Sequence, residues 1–225
     1  FSGQFKGNGH TISDLTITGQ YSPAGLFGIV EEQGSIESLS VRGVVSVSDS
    51  ADTTTGGIVG INHGTLINCQ FTGVVTGDSE VGGIVGRNES EGTIDHSTAR
   101  AIVTGKSSTG GIAGYNLGAI TGCTNVGSIN TEYQEASLDT DGFTAKMVDQ
   151  INNKIAAADD DATNSVTNVA TDTGGIAGRS SGMILTSVNT GTIGYEHVGY
   201  NVGGIVGRTD GLVSGCVNQG CVLGR

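Results

Sequence analysis

One short phrase recurs along the chain and limits what it can fold into. It reads Gly25-Leu26-Phe27-Gly28, Gly57-Ile58-Val59-Gly60, Gly83-Ile84-Val85-Gly86, Gly111-Ile112-Ala113-Gly114, Gly175-Ile176-Ala177-Gly178 and Gly204-Ile205-Val206-Gly207. The closing glycines lie 32, 26, 28, 64 and 29 residues apart. The one interval near double marks an insertion within a unit, so six units of about 28 residues account for the chain. Equivalent apolar positions follow each phrase. Ile36, Leu66, Ile94, Ile120, Ile184 and Val213 form one set, and three residues later come Leu39, Cys69, Ser97, Cys123, Ser187 and Cys216. Val45, Val75, Val103, Ile129, Ile193 and Val222 form a third set, and Ile12, Leu15 and Ile17 align with Ile36, Leu39 and Val41.

Each unit thus holds three short apolar runs separated by Gly, Asn, Ser or Thr, which reads as strands bounded by turns. The expected fold is all-β: a parallel β-solenoid with three strands per coil of about 28 residues, one lap stacked about 4.8 Å above the last. The crossover rule makes it a right-handed parallel β-helix. Like residues then meet like. Asn62, Asn88 and Asn116 form one ladder at the corners, and Asn125, Asn189 and Asn218 another, where side-chain amides hydrogen-bond from coil to coil and tolerate left-handed backbone. Cys69, Cys123 and Cys216 share an inward ladder but are separated by Ser97 and Ser187, about 9.6 Å for two strand spacings. A disulfide needs Cα atoms within about 7 Å, so no bridge is expected among them.

Composition agrees with narrow coils. Glycine supplies 40 of 225 residues, against roughly 7% in ordinary proteins. There is no Trp, one Pro, and only 4% aromatic residues, so the core must be aliphatic. A net charge of −12 repels nucleic acid and anionic lipid, and no run of about 18 apolar residues is present to insert into a membrane. The chain opens at Phe1 and closes at Arg225 just after a strand, so further domains of the same polypeptide are expected.

The whole of 1–225 reads as one solenoid domain interrupted at 131–172. That insertion carries nine acids and two lysines, net −7, more than half of the total. Met147, Val148, Ile151 and Ile155 have helical spacing, Thr144 is a candidate N-cap, and Phe143 can staple onto Val148, which places a helix near 145–157. The insertion is read as a decorated loop or, alternatively, as a partner-binding element.

Chemistry-bearing motifs are scarce. Gly178-Arg179-Ser180-Ser181-Gly182 spells a nucleophile elbow, but Ser180 replaces a corner asparagine in the repeat and no helix follows. His10, His63, His96 and His197 lack metal-site spacing, and Asp159 to Asp161 lack that of a calcium loop, so no metal or cofactor is expected. Glu37 and Asp95 share an equivalent position with Ile67 between them, a spacing tolerable for an acid–base pair. One row is more pointed. Arg87, Tyr115, Arg179 and Arg208 follow the closing glycine on successive coils, so Tyr115 should lie between two guanidiniums and the four form a ligand-docking strip for anionic or glycan groups.

The G-[LI]-x-G phrase, continued as x-N-x-G-x-I-x-x-C-x-x-x-G-x-V, resembles the GLUG-motif repeat of bacterial surface proteins, and Phe1 to Ile12 resembles the lead-in to such repeats. The resemblance covers nearly all of the chain outside 131–172. It implies an extracellular, bacterial cell-surface setting, like that of adhesin-like proteins and the non-catalytic portions of IgA-cleaving metallopeptidases; the peptidase zinc motif is absent. The expected role is a non-enzymatic structural or adhesion module, a stiff rod of about 30 Å that presents its faces and insertion to a host or cell-surface protein or glycan. The alternative is a carbohydrate-active β-helix, acting as polysaccharide lyase, hydrolase or glycan-binding module.

Overall fold

The computed structural model describes residues 1–47, 53–131, 171–194 and 200–223. The chain divides into two units: Phe1–Glu132 together with Ala170–Arg225, and Tyr133–Val169. The second unit, and with it the helix expected near 145–157, lies outside the described residues. In the first, no helix occurs among the described residues, and the strands pair only in parallel, each coil on the next, for about six coils.

Four sheets, not three, run along the stack. Sheet A contains Gln4–Lys6, Ser35–Glu37, Thr65–Ile67, Thr93–Asp95, Ala119–Thr121, Met183–Leu185 and Leu212–Ser214. Sheet B contains Thr11–Gly19, Ser40–Val47, Gln70–Thr76, Thr98–Thr104, Thr124–Asn125 with Ser128–Ile129, Val188–Asn189 and Val217–Asn218. Sheet C contains Thr54–Gly56, Glu80–Gly82, Ser107–Gly110, Thr171–Gly174 and Tyr200–Gly203, and sheet D contains Phe27–Val30, Val59–Asn62, Val85–Asn88, Ala113–Asn116, Ala177–Ser180 and Val206–Thr209. The sequence reading merged sheets C and D because both fall within one apolar run. The double glycine inside that run, as at Gly82-Gly83, is where the chain turns from one sheet to the next.

Register follows the period. Phe5, Ile36, Leu66, Ile94, Ile120, Ile184 and Val213 pair one above another, with Ile36 to Ile184 fully buried. Ile17, Val45, Val75, Val103, Ile129, Ile193 and Val222 do the same across the tube. The opening stretch departs from its expected alignment. Ile12 pairs with Val41 and Leu15 with Gly43, after a register shift between Ile12 and Leu15, where Asp14 sits at φ 60°. The repeated I-x-x-L-x-I spacing fits either strand; Gln4–Lys6 claims the first position and pushes the rest onward.

The two asparagine ladders behave differently from corner residues. Asn62, Asn88 and Asn116 end the sheet D strands, are fully buried, and are not at positive φ. Asn62 Nδ2 donates to Asn88 Oδ1 at 2.8 Å, Asn88 Nδ2 to Asn116 Oδ1 at 2.9 Å, and Asn116 Nδ2 to Ser180 Oγ at 3.1 Å. Asn125 Nδ2 reaches Asn189 Oδ1 at 2.8 Å, and Asn189 Nδ2 reaches Asn218 Oδ1 at 2.7 Å. Their rung continues Val41, Phe71 and Ala99 of the earlier coils. Where it turns polar, Asn125 Oδ1 accepts from Gly127 N at 3.1 Å and Asn189 Oδ1 from Gly191 N at 3.2 Å, and the seven-residue strand Thr98–Thr104 gives way to the split pair 124–125 and 128–129. The left-handed corner lies elsewhere. Ser38, Asn68, His96, Gly122, Thr186 and Gly215, each between sheets A and B, all have φ between 45° and 64°.

The inward ladder on sheet C is imperfect. Ala24, Thr55, Val81, Thr109, Thr173 and Val202 stack on sheet C. Thr173 Oγ1 accepts from Asn130 Nδ2 at 3.0 Å, but Val81 separates Thr55 from Thr109, and neither hydroxyl has a partner. Thr109→Val should therefore stabilise the fold by about 1 kcal/mol, because an isosteric methyl replaces an orphaned buried hydroxyl. Thr173→Val should cost a similar amount. Urea midpoints of the two variants moving the same way would overturn this account.

Candidate functional site

The outward row on sheet D is the most structured surface feature. Ile29, Ile61, Arg87, Tyr115, Arg179 and Arg208 pair in register on consecutive coils. In the strands from Val59–Asn62 to Ala177–Ser180 the neighbouring residues are buried, as Val85 and Asn88 are, which leaves this one side chain on the surface. The Arg87 and Arg179 guanidiniums each lie 5.2 Å from the centroid of the Tyr115 ring, within the range of a cation–π contact. Tyr115 Oη is 3.3 Å from Ser181 Oγ, which fixes the phenol end of the ring.

Charge along the row is uneven. Arg87 Nη1 contacts Glu80 Oε1 at 2.9 Å and its Nε contacts Glu89 Oε1 at 2.6 Å. Partial burial works against the Arg87 charge, but the two carboxylates outweigh it and hold the guanidinium above its ordinary pKa. Glu80 also accepts from Thr54 Oγ1 at 3.1 Å. At the other end Asp210 is held below the usual carboxylate range by a hydrogen bond from Ser181, with its own backbone and the Arg179 and Arg208 charges contributing less. The Arg87 end is thus neutralised, and the free positive charge lies at Arg179 and Arg208, two guanidiniums against one exposed carboxylate. Sequence reasoning missed Glu80 and Glu89. Glu89 is two residues from Arg87 on the same strand exit, a readable signal, whereas Glu80 is brought up by the turn between sheets C and D.

Other candidates are placed as follows. Ser180 is fully buried and its Oγ accepts from Asn116 Nδ2, so it is a rung of the asparagine ladder rather than an exposed nucleophile. Glu37 and Asp95 each pair with Ile67, two strand spacings apart, and Asp95 Oδ2 contacts His96 Nδ1 at 2.9 Å. A shallow concavity is lined by Ser2, Glu31, Glu32, Gln33 and His63. Among the described residues no three His, Cys, Asp or Glu side chains converge as metal ligands, and no helix is long and apolar enough to cross a membrane. His197 and Asp159 to Asp161 lie outside the described residues.

The buried cysteines, Cys69 and Cys123, are structural. Cys69 N donates to Ser97 Oγ, Ser97 N to Cys123 Sγ and Cys123 N to Ser187 Oγ, at 3.1, 3.4 and 3.2 Å, so each rung satisfies an amide of the coil before it. Burial pushes the Cys69 thiol up to about 11 and the Cys123 thiol to about 12. An unfolded thiol ionises near 8.5. The folded chain therefore keeps protons that the unfolded chain has lost, and stability is full below that pH and falls as pH rises toward 11 and 12. The expected slope is about 1.4 kcal/mol per pH unit for each thiol. A Cys69→Ser, Cys123→Ser variant, copying Ser97 and Ser187, should lose this extra alkaline sensitivity in denaturation midpoints compared between pH 8 and 10.5. Parallel pH profiles for variant and parent would refute it.

What fold and surface define is a repeat module of parallel β-solenoid type. Residues 77–104 match the family described as the GLUG motif, and that span is one complete coil, from the turn before Glu80–Gly82 to the end of Thr98–Thr104. The chain is 37% identical over 100 residues to halomucin of Haloquadratum walsbyi, covering 44% of this chain and 1% of that protein. It is 28% identical over 127 residues to a putative Gly-rich membrane protein of Evansella cellulosilytica, covering 41% of this chain and 14% of that protein. The chain thus spans a small part of each relative. No solved structure matches it.

Proposed function

We propose that the chain is a non-enzymatic, extracellular module of a larger cell-surface protein, a stiff right-handed rod that holds its outer faces toward a protein or glycan partner. The observation that carries this reading is the use of the inward polar side chains. The asparagine, serine and cysteine rungs are engaged in coil-to-coil hydrogen bonds, and polar groups used in this way hold a stack together rather than meet a substrate. The match of one coil to the GLUG motif, and the names of the two relatives, halomucin and a putative Gly-rich membrane protein, both many times longer than the matched region, support a surface setting.

The contact element on this reading is the Arg179–Arg208 end of the sheet D row, which accepts anionic groups of a protein or glycan partner. Glycan-array binding by the purified chain should weaken by about tenfold in Arg179→Ser, Arg208→Ser, the loss expected for two charge-assisted contacts at an exposed surface. Binding that survives both substitutions would remove the row from the account. Turnover of any acidic polysaccharide by the purified chain would defeat the non-enzymatic reading and favour a carbohydrate-active β-helix.

A further inference from the structure

Sheet B bears a second surface of the opposite character to the chain as a whole. Its strands Ser40–Val47, Gln70–Thr76 and Thr98–Thr104 are among the longest in the protein and pair residue for residue over their common length. Arg42 and Arg100 are exposed and each is in register with Thr72, so all three share one outward row, the two arginine backbones about 9.6 Å apart, or two strand spacings. Beside them runs Val44, Val74 and Ile102, with Val44 38% and Ile102 40% exposed. The remaining outward positions of these strands are Ser, Thr and Gln, and none is acidic, although the chain carries 22 acids against 10 bases.

Among the described residues Arg42 and Arg100 have no ion-pair or hydrogen-bond partner. That contrasts with Arg87 and Lys106, which are paired with Glu80, Glu89 and Asp78. The next strand of the sheet, Thr11–Gly19, carries the exposed Asp14 in its bulge, between the partners of Val41 and Gly43, and among the described residues no ion pair joins it to Arg42. The three strands themselves offer two unpaired guanidiniums and no acid to a string of carboxylates. The guanidinium fork matches a carboxylate bidentately, and the surrounding hydroxyls can exchange hydrogen bonds with sugar hydroxyls across the shallow apolar row.

We propose that this face of sheet B binds a carboxylated polysaccharide, laid along the stack so that two carboxylates meet Arg42 and Arg100 and the intervening sugar contacts Thr72. A flexible polyanion can lie along Ser40–Val47, Gln70–Thr76 and Thr98–Thr104, none of whose outward residues is acidic. A second copy of a −12 chain would bring part of its own acidic surface within a Debye length of about 8 Å, which disfavours self-association as the use of this surface. The site is separate from the sheet D row and stands whether or not that row binds anything.

Titration calorimetry of the purified chain with polygalacturonate, its fully methyl-esterified form, a neutral glucan, duplex DNA and anionic lipid vesicles tests it. Polygalacturonate should bind, more weakly as salt rises, and the esterified polymer and the glucan should not. Arg42→Gln, Arg100→Gln should weaken binding by at least about tenfold. Thr72→Glu, which sets a carboxylate between the two guanidiniums, should weaken it similarly, and because Arg42 and Arg100 are exposed the double arginine variant should keep the parent's thermal unfolding. Arg179→Ser, Arg208→Ser should alter this binding by less than about twofold. The proposal is overturned if polygalacturonate does not bind, if the esterified polymer binds equally well, or if the sheet B variant retains affinity. Tighter binding to DNA or vesicles, or a dimer abolished by the same substitutions, would assign the face to a different partner and overturn it equally.

Discussion

Asn88→Ala should lower the unfolding free energy by about 3 kcal/mol. The Asn88 side chain makes three hydrogen bonds while fully buried: it accepts from Asn62 Nδ2 at 2.8 Å and donates to Asn116 Oδ1 at 2.9 Å and Gly92 O at 3.0 Å. Each such bond contributes about 1 kcal/mol net, and leaving buried partners unpaired costs more than the bonds themselves are worth. Asn62 keeps its bond to Gly64 O, but Asn116 Oδ1 loses its coil-to-coil donor. Asn88→Ser should lose less, because Ser180 fills the same rung two coils further on. Asn88→Asp should lose as much as alanine, since the buried carboxyl must take up a proton to stay neutral and then has one donor where the amide serves both Asn116 Oδ1 and Gly92 O. Urea denaturation and amide exchange of the strands 59–62, 85–88 and 113–116 would read this out. A loss under about 1 kcal/mol for alanine would mean that the ladder does not hold the coils together.

Gly111→Ala should cost about 3 kcal/mol and is the more severe geometric insult. A Cβ at Gly111 would lie 2.3 Å from Gly175 O on the coil above and 2.4 Å from Asn125 Cγ across the tube. Neither neighbour can withdraw, because the first is backbone in a stack spaced at about 4.8 Å and the second is held in its own amide ladder. The equivalent Gly57 and Gly83 face Phe71 and Ala99, so the glycine is what lets the opposite rung vary from alanine to phenylalanine. Because each coil contacts mainly its neighbours, the damage should spread along the stack as lost cooperativity, seen as a broadened melt as well as a lower midpoint. A Gly111→Ala variant with the parent's melting curve would contradict the close approach of coils 107–116 and 171–180.

The period of the repeat was readable because stacking in register makes axial neighbours out of residues one lap apart. Ile36 above Phe5 and below Leu66 is a statement about sequence spacing as much as about space. The row of Arg87, Tyr115, Arg179 and Arg208 was legible for the same reason. The position of Glu80 against Arg87 was not. It depends on how sharply the chain turns between sheets C and D, and the side chains there are mostly glycine, which carry no directional pattern. The opening strand was misaligned because an apolar spacing common to two strands cannot say which of them it will pair with, and the bulge at Asp14 settled it.

Composition and spacing by themselves thus determined a stacked, aliphatic, all-β chain and the identity of its ladders, since backbone hydrogen bonding fixes the axial repeat and every inward residue reports it. Tertiary structure alone decided the cross-section: four sheets rather than three, a left-handed corner at Ser38, Asn68, His96 and Thr186, and a threonine rung broken at Val81. Position around the perimeter is set by a few backbone torsions at the corners. Serine, asparagine, histidine, glycine and threonine all occupy that same left-handed corner, so no side-chain pattern announces it.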